Sequence, residues 1–199
     1  MDPSATQLDA TLARMEYGRA LKGALLMEAK AESWVPYAQP LLDAVSLFEE
    51  LNIGYALIGG VAAMYYGRAR FTEDVDFVAV SGHMNILAAH PAEMEKHHFA
   101  PTCTHKLYHQ SGVQVDVWKD EHSDDIIRRS NEVQLAGRSI HIIDPHDLIA
   151  MKLRAQRLKD DYDISEIASK TAIDESRLQR MVTPEEFSRY EEIKRRSRS

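Results

Sequence analysis

The stretch LIGGVAAMYYGRARFTEDVDFVAV, residues 57–80, contains the pattern from which the fold can be predicted. Its first apolar residues are typical of a buried strand, and the glycine pair Gly59–Gly60 leads from that strand into a helical segment. The stretch ends in DVDFVAV, which predicts a second strand. Because side chains two residues apart on a strand share a face, Asp74 and Asp76 should lie side by side. Two carboxylates so placed repel each other unless one is protonated or a cation binds.

A later strand supplies a third carboxylate. In VQVDVWK, residues 113–119, the valines form one face and Gln114, Asp116 and Trp118 form the other. If this strand lies beside the Asp74–Asp76 strand, three carboxylates converge. Carboxylates bind Mg²⁺ together with water and substrate phosphates, and three acids around two Mg²⁺ ions suit phosphoryl or nucleotidyl transfer. A D-x-D pair alone is more often a solvated strand edge.

The glycine pair changes this interpretation. Glycines between a strand and a helix let the backbone approach a ligand closely, and they direct helix N-terminal N–H groups at an anion such as a triphosphate. The alternative is a tight turn without a ligand. The glycine turn and the two acids together, at this spacing, favour a nucleotide site.

The segment DLIAMKLRAQRLKDDYD, residues 147–163, is predicted to be one helix that begins at Asp144 and Pro145. Its core stripe is predicted to contain five residues: Leu148, Met151, Ala155, Leu158 and Tyr162. A polar set beside that stripe is expected to reach a neighbouring cleft without being buried: Lys152, Gln156, Lys159, Asp160 and Asp163. Ordinary ion pairs along a helix surface are the alternative explanation of the polar set.

The pattern G-G, short helix, G-R-x-R-x-T-x-D-x-D resembles the signature of the nucleotidyltransferase superfamily with the DNA polymerase beta-like fold. It is most similar to small bacterial enzymes of the abortive-infection and toxin type, over about residues 50–165. The resemblance implies that Asp74, Asp76 and Asp116 are catalytic and bind metal, with Asp116 as general base. It implies nucleotide contacts from a larger set: Gly59, Gly60, Arg70, Thr72, Lys152, Asp160 and Asp163, with Arg157 as a further candidate. Many members have Gly-Ser where this chain has Gly59–Gly60.

The predicted fold class is α/β (α+β), a small mixed β-sheet of the nucleotidyltransferase fold flanked by helices. We predict a helical N-terminal arm over residues 1–40, a nucleotidyltransferase core over 41–145 and a helical C-terminal region over 146–199 that packs on the core. Residues 1–33 are a candidate surface for a homodimer or an antitoxin protein. Simple packing of these residues against the core is the alternative.

Composition limits the classes of function. The chain has 199 residues, 44% of them apolar, and a formal net charge of −7, which argues against capture of nucleic acid by the whole surface. The single cysteine, Cys103, excludes an internal disulfide framework. No apolar run long enough for a membrane span and no secretory signal are present, so we predict a cytoplasmic protein with no membrane partner.

The sequence therefore predicts Mg²⁺-dependent transfer of a nucleoside monophosphate from a nucleoside triphosphate such as ATP, with two metal ions and Mn²⁺ as a substitute. The acceptor is a hydroxyl group on a tRNA 3′ end, a protein side chain or a small molecule. The resemblance adds the toxin of a toxin–antitoxin pair. The alternative is a non-catalytic nucleotide-binding or regulatory partner protein of the same fold, which would be expected to lose at least one of the three acids.

Overall fold

The computed structural model describes residues 35–67, 74–119, 121–135 and 137–197. The proposed N-terminal arm up to residue 34 and the candidate residues Arg70 and Thr72 lie outside this part of the chain. The helices in it are α1 (Val35–Glu50), α2 (Gly59–Tyr66), α3 (His83–Ala89), α4 (Pro91–Lys96), α5 (Ser123–Arg129), α6 (Pro145–Ala155), α7 (Leu158–Lys170), α8 (Glu175–Met181) and α9 (Pro184–Arg196). The strands are β1 (Tyr55–Ile58), β2 (Val75–Ala79), β3 (Lys106–Tyr108), β4 (Gln114–Trp118), β5 (Asn131–Leu135) and β6 (Arg138–Ile142).

The six strands form one mixed sheet in the order β3-β4-β2-β1-β6-β5. Strand β1 pairs antiparallel with β2 and parallel with β6, and β2 pairs parallel with β4. The edge strands β3 and β5 pair antiparallel with β4 and β6. Helices flank this sheet, so the predicted fold class is confirmed. Strand β5 and helix α5 were not predicted from the sequence.

Helix α1 packs its apolar stripe against the sheet. Leu41, Ala44, Val45 and Phe48 are all 0% exposed, at the three- and four-residue steps expected of one helix face. The Phe48 ring lies 5.2 Å from that of Phe77, at an interplanar angle of 84°. This edge-to-face contact joins α1 to the middle of β2, the strand that follows Asp74. The division into three regions at residues 40 and 145 stays a prediction.

The prediction of one helix over residues 147–163 was wrong. Helix α6 ends at Ala155, Gln156 is left-handed at φ 54°, Arg157 is extended, and α7 begins at Leu158. The break resets the helical phase, so Leu158 is 93% exposed and Tyr162 45% exposed instead of forming a core stripe. Ala155, also predicted in that stripe, is exposed at the end of α6. Lys152, Asp160 and Asp163, predicted to avoid burial, are 4%, 0% and 3% exposed.

Side-chain caps define three of the C-terminal helices. The Asp144 side chain accepts a hydrogen bond from the backbone of His146 at 2.9 Å, with Pro145 in the first turn. Asp174 caps α8 and Thr183 caps α9 in the same way. Among the described residues, no helix combines the length and apolar character needed to cross a membrane.

Candidate active site

Two neighbouring parallel strands place two of the predicted acids together. In the pairing of β2 with β4, Asp76 lies directly beside Asp116. Asp74 immediately precedes β2, and its side chain lines the same cavity as the other two. The convergence that the sequence made conditional on strand pairing is therefore present in the structure.

Gly59 joins β1 to α2 in contact with Asp76. Its φ of +66° favours glycine, and a Cβ at this position would lie 2.1 Å from Oδ2 of Asp76. Helix α2 begins at Gly59 without a side-chain cap from Ile58. The first N–H groups of this helix, at Gly59 and Gly60, therefore lie at the cavity wall beside the acids, where an anion can accept their hydrogen bonds.

The cavity has a volume of about 630 Å³, in the range of small-molecule sites. Its lining brings together six of the predicted site residues: Gly59, Gly60, Asp74, Asp76, Asp116 and Lys152. Arg157, Lys159 and Trp118 also line it. Asp160 and Asp163 are not part of the lining, because they lie buried behind Lys152.

One side of the cavity, the acidic wall, consists of Asp74, Asp76 and Asp116. Burial raises the pKa of Asp76, and the charges of Asp74 and Asp116 raise it further. The indole Nε1 of Trp118 donates a hydrogen bond to Asp76 Oδ1 at 3.4 Å and opposes this shift. Gln114 donates to Oδ1 of Asp116 at 2.7 Å. The acidic wall thus holds negative charge that a bound cation would stabilise.

Another part of the lining, the basic wall, consists of Lys152 and Arg157, with the buried Asp160 and Asp163 behind them. Lys152 Nζ lies 2.7 Å from Asp163 Oδ2 and 3.5 Å from Asp160 Oδ1. The Arg157 guanidinium donates to both oxygens of Asp160, at 2.8 and 3.1 Å. Burial acts to raise the pKa of Asp160, but the hydrogen bonds from Arg157 and the charge of Lys152 outweigh it, so this pKa lies below its usual value.

The acidic wall fits Mg²⁺ in the chemistry of its donors. Mg²⁺ takes oxygen ligands and is usually held by one or two carboxylates together with substrate phosphates. Within the described ranges, no group of three or more His, Cys, Asp or Glu side chains is already arranged to hold a metal ion. A metal ion held by the acidic wall would therefore need oxygen ligands beyond these carboxylates.

Sequence reasoning missed one contact at the mouth of the cavity. The His105 ring stacks on Trp118, with ring centroids 4.7 Å apart and an interplanar angle of 34°. Trp118 is 45% exposed, so its indole forms a rim between Asp76 and the solvent. His105 immediately precedes β3, and the antiparallel pairing of β3 with β4 brings it beside Val117 and Trp118.

A family model described as "Nucleotidyl transferase of unknown function (DUF2204)" matches residues 37–198. The matched residues include the acids of β2 and β4 and the helices α6 and α7. No curated protein sequence matches the chain.

Solved structures with similar folds include an antigenic nucleotidyltransferase-like protein from Paracoccidioides brasiliensis, 21% identical over 66% of this chain and 74% of that one, with a TM-score of 0.48. The lincosamide antibiotic adenylyltransferase LnuA, bound to lincomycin, is 19% identical over 66% of this chain and 96% of its own, with a TM-score of 0.49. ANT(2")-Ia in complex with adenylyl-2"-tobramycin is 14% identical over 80% of this chain and 97% of its own, with a TM-score of 0.44.

Proposed function

Because the chain belongs to the nucleotidyl transferase family DUF2204, which its residues 37–198 match, we propose that it transfers a nucleoside monophosphate from a nucleoside triphosphate such as ATP to a hydroxyl group. Pyrophosphate is the other product. The observation that carries the proposal is the register of β2 and β4, which sets Asp76 beside Asp116 in a cavity that the N-terminus of α2 faces.

The nucleotide phosphates bind on the side of the cavity formed by α2 and α6. The N–H groups of Gly59 and Gly60 at the start of α2 donate to phosphate oxygens, and the positive end of the helix dipole favours the anion. Lys152 supplies a positive charge to the same cavity. Arg70 and Thr72 remain proposed nucleotide contacts outside the described residues.

Asp160 and Asp163 act in this proposal through their neighbours rather than through the nucleotide. Each holds Lys152 by a hydrogen bond, and Asp160 also fixes the Arg157 guanidinium. Because Asp160 and Asp163 are buried, Lys152 and Arg157 are held in place before a ligand arrives. Such fixed charges stabilise a developing phosphate charge without reorganising during the reaction.

Asp74, Asp76 and Asp116 would hold Mg²⁺, as two ions, with Mn²⁺ as a substitute. The bound metal would neutralise triphosphate charge and lower the pKa of the acceptor hydroxyl. The amide of Gln114 occupies Oδ1 of Asp116, so we assign Oδ2 as the atom that accepts the hydroxyl proton. Trp118 and His105 form the rim past which the acceptor enters.

The experiment that tests the proposal follows the label from NTPs carrying ³²P at the α-position, in Mg²⁺. The protein is incubated alone, with total RNA and with an aminoglycoside, which represent the protein side chain, the tRNA 3′ end and the small-molecule acceptor. We expect one of these to acquire label, and we expect none to be labelled by γ-³²P NTPs or by Asp76→Asn protein. Label from the γ-position would indicate a kinase, and nucleotide binding without transfer would support the non-catalytic alternative.

We extend the proposal to the toxin of a toxin–antitoxin pair on the strength of the resemblance alone. Inducible expression in a bacterial host should then arrest growth for the wild type and not for Asp76→Asn. Equal growth of both strains at matched protein levels would remove the toxin role and leave the transferase proposal intact.

A further inference from the structure

A second cavity, unused by the proposed reaction, lies between α5, α6 and α8. Its volume is about 290 Å³, and four arginines line it together with Asp147: Arg129, Arg154, Arg177 and Arg180. The lining therefore contains four positively charged side chains and one carboxylate. The chain as a whole, in contrast, has a formal net charge of −7. We propose that this arginine cavity binds a phosphate-bearing anion.

Two of the arginines are fixed by carboxylates. Arg129 donates to both oxygens of Asp147, at 2.9 and 2.7 Å, and Arg177 donates to Asp144 at 3.1 Å. Asp147 is 5% exposed and Asp144 is 8% exposed, so both ion pairs are anchored in the body of the protein. A guanidinium carries five N–H donors, and these contacts use only some of them. Arg129 and Arg177 are therefore held in fixed orientations and retain N–H donors that a ligand can use.

The other two arginines have no such compensation. Within the part of the chain that the structure describes, no carboxylate oxygen lies within 4 Å of the guanidinium of Arg154 or Arg180, and both residues are exposed. Arg154 donates to the backbone carbonyl of Met181 at 3.1 Å, which holds its guanidinium at the cavity. Asp174 interacts electrostatically with Arg180 at longer range. Guanidinium groups that line one cavity nevertheless repel one another, and a bound anion relieves that repulsion.

Phosphate is the anion that this geometry favours. The planar guanidinium fork matches two oxygens of a phosphate group, and arginine is the side chain of choice where such pairs form. A volume of about 290 Å³ is sufficient for a phosphate group with its attached sugar. The ligand is therefore a free polyphosphate or nucleotide, or one segment of a nucleic-acid backbone.

Helix α6 separates this cavity from the candidate active site. Lys152 lines the active-site cavity, whereas Asp147 and Arg154 of the same helix line the arginine cavity. A phosphate held at Arg154 would thus lie on an adjacent face of the helix that positions Lys152. The inference does not depend on the proposed transferase activity, because none of the three acids lines the arginine cavity.

The test measures binding of two probes in EDTA, without NTP: inorganic tripolyphosphate by calorimetry, and a fluorescein-labelled single-stranded RNA by anisotropy. The variant is Arg154→Gln/Arg180→Gln, and the matched control is Lys96→Gln/Arg196→Gln, which removes the same charge at exposed positions away from the cavity. We expect the variant to lose about tenfold or more in affinity, and the control to lose less than about twofold. For the RNA, the salt slope should fall by about 1.4 in the variant, since two phosphate contacts are lost.

The two probes distinguish the two sources of phosphate. Loss confined to tripolyphosphate assigns a free polyphosphate or nucleotide, and loss that includes the RNA assigns a nucleic-acid backbone. Absence of binding by either probe, or equal losses in variant and control, would overturn the proposal. Thermal midpoints of both proteins verify that each remains folded. A failure of NTP labelling leaves this test unaffected.

Discussion

Each wall of the candidate active site contains an aspartate whose pKa is shifted, and the two shifts have opposite directions. On the acidic wall, burial and neighbouring carboxylates raise the pKa of Asp76. On the basic wall, Asp160 is more deeply buried, yet Arg157 and Lys152 lower its pKa. The pKa of an aspartate is thus raised by neighbouring carboxylates on the acidic wall and lowered by neighbouring cations on the basic wall. The difference suggests a test: the buried ion pairs should contribute to stability, whereas the crowded carboxylates should contribute to the proposed transfer reaction.

The largest expected effect comes from breaking the basic wall. Asp160→Ala leaves the buried Lys152 ammonium with one carboxylate and removes the partner of Arg157, so the free energy of unfolding should fall by about 3–5 kcal/mol. Urea denaturation measures this change. The matched control is Asp161→Ala, whose 2.5 Å ion pair with Arg189 is partly exposed and should contribute about 1 kcal/mol or less. Equal effects of the two substitutions would contradict the structural role of Asp160.

Neutralising the acidic wall should have the opposite consequence for stability. Asp76→Asn should lower the rate of nucleotide transfer by roughly 10²–10³-fold, because a preorganised charge is lost. The free energy of unfolding should stay the same or rise by about 1 kcal/mol, since burial and like charges disfavour the native carboxylate. Parallel label-transfer and urea measurements check this pair of results. A stability loss comparable to that of Asp160→Ala would show that Asp76 is a structural residue.

Gly59 lies between the acidic wall and α2. Its substitution tests how closely the backbone there is packed against Asp76. A Cβ there would meet Asp76 Oδ2 at 2.1 Å, whereas at Gly112, with φ +84°, it would meet nothing within 4 Å. Both alanine variants bear the strain of a positive φ. The clash should make Gly59→Ala more destabilising than Gly112→Ala by about 1–3 kcal/mol, as measured by urea denaturation. Equal destabilisation would mean that Asp76 moves away without cost.

The smallest effect is in the pH dependence of stability. The folded pKa of Asp76 lies above its unfolded value, so between the two values the native state binds more protons, and stability falls as pH rises. Asp160 has a lowered pKa and contributes stability that is lost as pH falls through its folded value. The stability of Asp76→Asn relative to wild type should therefore increase as pH rises from about 4. A difference independent of pH would contradict the raised pKa.

The sequence predicted best those features of the fold and site that depend on the local geometry of a strand or a helix. The alternation in DVDFVAV and VQVDVWK predicted that Asp76 and Asp116 each lie on the polar face of a strand, which depends only on the two-residue period. The pairing of those two strands was a condition that the structure meets. The helix start at Asp144 and Pro145 was predicted for an equally local reason.

Features that depend on tertiary contacts could not be predicted in this way. Neither glycine nor proline marks the break at Gln156 and Arg157, where the chain turns so that α7 packs on α6. The packing buries Lys152, Asp160 and Asp163 but leaves Gln156 and Lys159 exposed. Periodicity through that break placed Leu158 in the core, although it is exposed. Strand β5, NEVQL, is mostly exposed at the sheet edge and so carried no apolar pattern.

Nucleotide binding tests the central claim most directly. Thermal unfolding of the wild type should be shifted upward by an NTP in Mg²⁺, reaching about 2.7 kcal/mol of added stability at a ligand concentration of 100 Kd. EDTA should abolish the shift, and so should Asp74→Ala/Asp76→Ala, while Asp161→Ala retains it. Absence of a shift for every NTP in Mg²⁺, or an equal shift in the double variant, would contradict the assignment of the acidic wall as a metal–nucleotide site.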